Sequence, residues 1–110
     1  MRKLMTVIST FFHRDKGFLE LQPMFSAMGE LERWVGWRTL PADVPRESVA
    51  EIRRPDGSKF EATYRIISAH FIWEDRLSNP AWVHTVMLQD CDEASVPPGS
   101  EIWLNLPTPT

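Results

Sequence analysis

One thiol, three imidazoles and several arginines set beside tryptophans are the side chains in this 110-residue sequence with chemistry to offer. Cys91 lies between Asp90 and Asp92. A nucleophilic thiol needs a lowered pKa, from a nearby cation or a helix N-terminus, and two flanking carboxylates work against that. Cys91 therefore reads as an inert loop cysteine. His70 and His84 fall in different strand-like runs and could meet across a sheet, with Glu74, Asp75 or Asp90 as a third partner. Such a set suits a metal ion or an acid–base pair. No His-x-x-x-His or Cys-x-x-Cys spacing supports it, so the expectation is hydrogen-bonded histidines at a core margin. No catalytic, cofactor-binding or metal-binding residue is assigned.

The five tryptophans are many for this length. Tryptophan and arginine dominate binding hot spots, and aromatic rings stack on unpaired bases. Arg33, Trp34, Trp37 and Arg38 sit together in a segment that the strand pattern does not require, so these four are the expected partner-binding residues. The competing role for Trp34 and Trp37 is to cover an open barrel end. Trp82 and Trp103 are expected to plug the core or a barrel end. Arg53, Arg54 and Lys59, with Arg65 and Arg76 beyond, make an alternative RNA-binding stripe along phosphates. Glu51, Asp56 and Glu61 interrupt that stripe and favour a mixed, solvated face.

The elements that must position these groups are strands. Nine prolines interrupt helices and central strands alike, so a chain so punctuated favours short strands and loops. Leu4 to Phe12 is rich in β-branched and aromatic residues and reads as one strand. Phe18–Gln22 alternates cleanly, and the two runs form a hairpin around His13–Gly17. Residues 24–46 read as an insertion, with a short helical turn that Ser26 caps. Ser48–Arg54 and Lys59–Ile67 flank Pro55-Asp56-Gly57-Ser58, where proline presets φ, aspartate bonds back to the turn amides and glycine takes the left-handed conformation. Phe60, Ala62, Tyr64 and Ile66 alternate with Glu61, Thr63 and Arg65, giving one buried and one wet face. That strand runs on towards Trp73, bending at a bulge near Ser68–Ala69. Trp82–Leu88 and Glu101–Leu106 are the last two strands, and 107–110 is a flexible tail.

The result is one all-β domain: a small closed or nearly closed antiparallel β-barrel of about six strands, with an insertion holding a short helix. Hydrophobic residues make up 43% and charged residues 25%, which is globular rather than disordered composition. The net charge of −3 lacks the basic excess of a duplex-binding protein. A single cysteine fits a reducing compartment. No apolar run approaches the roughly 20 residues that span a bilayer. A soluble, cytoplasmic, bacterial protein without membrane contact is the expectation.

Three stretches in order resemble domain two of the translational GTPases, the small barrel that follows the nucleotide-binding domain in elongation factor Tu and its relatives. Phe12–Leu19 resembles that family's opening hairpin. Val49–Ile52 with Phe60–Ile67 resembles its central strand pair. Val86–Ile102, an apolar strand, a polar loop and Val96-Pro97-Pro98-Gly99 before a second apolar strand, looks like its closing pair. The chain has no Gly-x-x-x-x-Gly-Lys-Ser/Thr loop, so the resemblance implies the barrel alone and no GTPase activity. In the family this barrel contacts the aminoacyl end of transfer RNA or the ribosome, and no residue-level motif for those contacts is matched here. Fold similarity does not transfer function. The expected function is a non-catalytic binding module working through protein–protein contact, as an adaptor, complex subunit or toxin-neutralising partner, with no cofactor. The alternative is an RNA- or ribosome-associated module. A weaker alternative is a metal-dependent enzyme using His70 and His84.

Overall fold

Extended segments satisfy their backbone amides only by pairing, and in this chain seven of them pair into one antiparallel sheet. The computed structural model describes residues 1–26, 38–71 and 81–106. The described strands are β1 (Arg2–Thr6), β2 (Ser9–His13), β3 (Phe18–Ser26), β4 (Glu47–Arg53), β5 (Lys59–Phe71), β6 (Ala81–Gln89) and β7 (Glu101–Leu104), with a 3₁₀ turn at Glu93–Ser95. Their order is β1-β7-β4-β5-β6-β3-β2. The sheet curls into a half-barrel, so the all-β expectation holds with seven strands rather than six. The extra strand arises because Leu4 to Phe12 is not continuous: Val7 and Ile8 break it into β1 and β2.

That break shapes the barrel. β1 and β2 are the two edges of the sheet, yet only Val7 and Ile8 join them. Three peptide steps span at most about 11 Å, so the edges meet at this corner. Backbone bonds fasten it: Val7 N–H donates to Ser100 O at 2.7 Å, Gly99 N–H to Val7 O at 2.8 Å, and Ile8 N–H to Gln22 O at 2.8 Å. Gly99 sits at φ 92°, and a Cβ there would lie 3.2 Å from Pro55 Cγ.

Inside the curl the alternation read from sequence is obeyed. Leu19, Leu21, Ile52, Tyr64, Val86, Leu88, Val96 and Ile102 are fully buried, with Phe60 and Ala62 packed partly buried against them. Two irregularities adjust the pattern. The β1–β7 register shifts between Lys3 and Met5, and this lets the consecutive residues Leu4 and Met5 both point inward. The β3–β6 register shifts between Leu21 and Phe25, so Gln22, Pro23 and Met24 bulge opposite Thr85. Proline has no amide to offer a ladder, and the bulge removes the need for one. β3 therefore continues through Pro23 to Ser26, and Ser26 is a buried strand residue rather than a helix cap. Met24–Ser26, read from sequence as the start of the 24–46 segment, belong to this strand. The bulge expected near Ser68–Ala69 is absent from the β5–β6 ladder, which pairs without a break from Tyr64↔Leu88 to Phe71↔Ala81.

The 55–58 turn forms as expected: Asp56 Oδ1 accepts from Ser58 N–H at 2.9 Å, and Gly57 has φ 91°. The loop before β4 folds over one end of the core. Val44 is buried, Tyr64 Oη donates to Pro45 O at 2.9 Å, and Ile66 N–H donates to Arg46 O at 2.8 Å. Among the described residues no helix is long and apolar enough to cross a membrane. Residues 27–33 of the expected helical turn, the residues Arg33, Trp34 and Trp37, and the 107–110 tail lie outside the described residues.

Candidate functional site

Arg38 is the one expected partner-binding residue among those described, and it marks a cleft. β1, the end of β3, the end of β7 and the loop from Arg38 to Val44 enclose about 290 Å³. Leu4, Phe25, Val44 and Leu104 provide a buried apolar lining, and Arg2, Lys3, Arg38 and Asp43 stand around it. A second hollow of about 250 Å³ shares Lys3, Phe25 and Arg38 and adds Met5, Pro23 and Met24. Three cations and one carboxylate line the cleft, and a second carboxylate, Glu101, lies within reach of Lys3.

The polar groups are held by their own partners. Arg2 grips Asp43 with two bonds, Nη1 to Oδ2 at 2.9 Å and Nη2 to Oδ1 at 2.6 Å. That hydrogen bonding keeps the Asp43 carboxyl below its usual range and the Arg2 guanidinium above its own. Lys3 reaches Glu101 at 3.6 Å. Arg38 Nη2 makes a long 3.4 Å contact with Leu4 O. Ser26 N–H donates to Arg38 O at 2.9 Å, and Ser26 and Thr39 form a parallel bridge. The chain therefore leaves the sheet and rejoins it beside the cleft, with Arg33, Trp34 and Trp37 between those two points. Sequence reasoning missed Arg2, Phe25 and Asp43, which carry no local signal because three separate elements bring them together.

The residues of the expected RNA stripe are placed together, but with their charges engaged. Arg53 Nε bonds Glu51 Oε2 at 2.5 Å, and Lys59 lies 3.8 Å from Oε1 of the same carboxylate. Hydrogen bonding to Arg53 holds the Glu51 carboxyl below its usual range. Arg53 also covers the Trp103 ring at 4.1 Å. Arg54 Nε donates to Ser95 O at 2.8 Å and its guanidinium lies 4.4 Å from the Phe60 ring centroid, which ties the hairpin to the 3₁₀ turn. Trp103 is half-buried outside the core, alternating with buried Ile102 and Leu104, and Trp82 is exposed. Neither plugs the barrel, because both sit where the sheet meets solvent.

His84 is opposite Ser68, not His70. Its Nδ1 lies 2.9 Å from Ser68 Oγ and 3.2 Å from Arg46 Nη1, and Arg46 Nη1 lies 3.1 Å from Ser68 Oγ. A guanidinium can only donate, so Nδ1 accepts and the ring proton is assigned to Nε2. Burial, and then the charge of Arg46, lower the His84 pKa below the ordinary imidazole value. His70 pairs with Trp82, two positions along β5 from Ser68, while Glu74 and Asp75 lie outside the described residues. Among the described residues no group of three or more His, Cys, Asp or Glu is placed to hold a metal ion. Cys91 is buried, and burial followed by Asp90 and Asp92 pushes its thiol pKa up, against a smaller pull from Arg54.

No family model, no curated protein and no solved structure matches the chain. Ser68 and Arg46 were invisible to sequence reasoning because the partner of His84 depends on the strand register, which the length of a hairpin loop sets.

Proposed function

We propose that the protein is a non-catalytic binding module that docks an acidic segment of a protein partner at the cleft beside Arg38. The observation that carries this reading is the cleft itself, a buried apolar lining of Leu4, Phe25, Val44 and Leu104 with Arg2, Lys3 and Arg38 around it and Asp43 as the one lining carboxylate. An apolar anchor on the partner fills the lining, and carboxylates beside it meet the cations. Arg33, Trp34 and Trp37, which lie between Ser26 and Arg38 in sequence, are the further residues proposed to bind the partner.

The test is affinity capture from a lysate of the cell of origin, with wild type, Arg38→Glu and the double variant Trp34→Ala/Trp37→Ala, each checked for intact β-sheet circular dichroism. The reading expects a partner that Arg38→Glu loses and that raised salt weakens. A partner set unchanged by both variants overturns it.

A further inference from the structure

A second constellation lies on the described surface, and none of its members lines the cleft. Arg46, in the loop just before β4, Ser68 on β5 and His84 on β6 bring a guanidinium, a hydroxyl and an imidazole within 3.2 Å of one another. We propose that Arg46, Ser68 and His84 form a binding site for a tetrahedral oxyanion of the phosphate type.

The partners of Arg46 argue for this. Arg2, Arg53, Arg65, Lys3 and Lys59 each reach a carboxylate, whereas Arg46, like Arg14, Lys16, Arg38 and Arg54, has no carboxylate within ion-pair distance among the described residues; of these Arg46 is the one held against a hydroxyl and an imidazole together. The adjacent Glu47 is engaged by Arg65 at 3.4 Å. Arg46 is spent instead on a neutral hydroxyl and a ring nitrogen, both weak partners for a fixed cation. An oxyanion replaces them with charge-assisted bonds, and the planar guanidinium suits its oxygens.

The rest of the surroundings decide how many charges the ligand brings. On β3, Phe25 is opposite His84, and on β5 and β6 the neighbours along the core face are Ile66 and Val86, so those positions carry no charge. The other titratable group in register is His70, which pairs with Trp82. Burial, and then Arg46 acting without a compensating carboxylate among the described residues, lower the His84 pKa and disfavour the charged ring. A dianion reverses the balance. It accepts from Arg46 and from the Ser68 hydroxyl, and it draws a proton onto His84 Nδ1, which turns from acceptor to donor. Three donors from three elements then meet a ligand with oxygens pointing in several directions, which fits phosphate better than a planar carboxylate. Trp82, 48% exposed and two residues from His84, is placed for a ring carried by the ligand, as in a nucleoside phosphate.

Proton NMR of His84, assigned with His84→Gln, tests the site in inorganic phosphate against chloride of equal ionic strength. In chloride the His84 midpoint lies below the ordinary imidazole value. In saturating phosphate it rises by about one unit, which means roughly tenfold tighter binding to the protonated ring. Arg46→Gln abolishes the phosphate response and, with the neighbouring cation gone, raises the midpoint in chloride, while an amide spectrum as dispersed as that of wild type shows that the variant is folded. Ser68→Ala weakens binding several-fold. Adenosine monophosphate identifies the source: a response at tenfold lower concentration marks a nucleotide site, and an equal response marks a free phosphate site. A His84 midpoint that is the same in chloride, phosphate and the nucleotide overturns the proposal, as does an Arg46→Gln variant with the full response.

Discussion

Tyr64→Phe isolates a single bond that fastens the loop over the core. Tyr64 is the chain's one tyrosine and is wholly buried, and its hydroxyl donates to Pro45 O at 2.9 Å. Phenylalanine keeps the ring and opens no cavity, so the loss is that hydrogen bond and a carbonyl left without its donor. This costs about 1 kcal/mol. In a domain of this size that lowers Tm by about 4 °C. Urea unfolding should show a lower midpoint with an unchanged slope. The amide of Ile66, bonded to Arg46 O, should exchange faster because the loop opens more often. Burial also raises the phenol pKa above its ordinary value of 10.0. Between that value and the higher folded one, the unfolded chain has lost the proton while the folded chain keeps it. Stability is therefore full below pH 10 and falls as pH rises through the window. Phenolate absorbance reads this residue alone, and the alkaline decline should shrink in Tyr64→Phe. Equal stability at neutral pH with unchanged Ile66 exchange, or a folded-state phenol titrating at its ordinary value, refutes the docking of the loop through Pro45.

Gly99→Ala should cost about 1–3 kcal/mol in urea unfolding, because the position has φ 92° and the added Cβ lies 3.2 Å from Pro55 Cγ. Gly17→Ala, at φ 72° with open space around it, should cost less, about 1 kcal/mol. Arg54→Ala should cost about 1 kcal/mol in a thermal melt, since it removes the donor to Ser95 O and the cover over Phe60. Cys91 should react with a thiol-specific reagent only as fast as the fold opens, so low urea should speed labelling; a fast reaction at neutral pH without urea contradicts its buried, acid-flanked setting.

The sequence shows most clearly what is local. The Pro55-Asp56-Gly57 turn and the alternation of Phe60, Ala62, Tyr64 and Ile66 are decided by neighbours a few residues away, and both appear as read. The split at Val7–Ile8 is not local. Both residues favour strands, and the corner exists because Gly99 and Ser100 bond Val7 from the far end of the chain. Pro23 reads as a strand end because proline lacks a donor, yet the bulge opposite Thr85 lets β3 pass through it. The cleft was visible in part. Arg38 was picked out by its neighbouring tryptophans, but Arg2 and Asp43 meet across 41 positions of sequence. For His84, its position on a core-facing margin was legible from parity, but its partners Ser68 and Arg46 were not.

The place of β7 also governs the order in which the fold can be completed. This strand lies between β1 and β4, and among the described strands β1 pairs with no other. A ribosome delivers residues in chain order, so the pairs β2–β3, β4–β5 and β5–β6 can form while synthesis continues, but β1 cannot be placed until Glu101–Leu104 emerge. Ile102 and Leu104 then bring the last part of the core with them. Of the described strands β1 is thus the last to be paired although it precedes the others in sequence, and until then its apolar face depends on a segment still to be made.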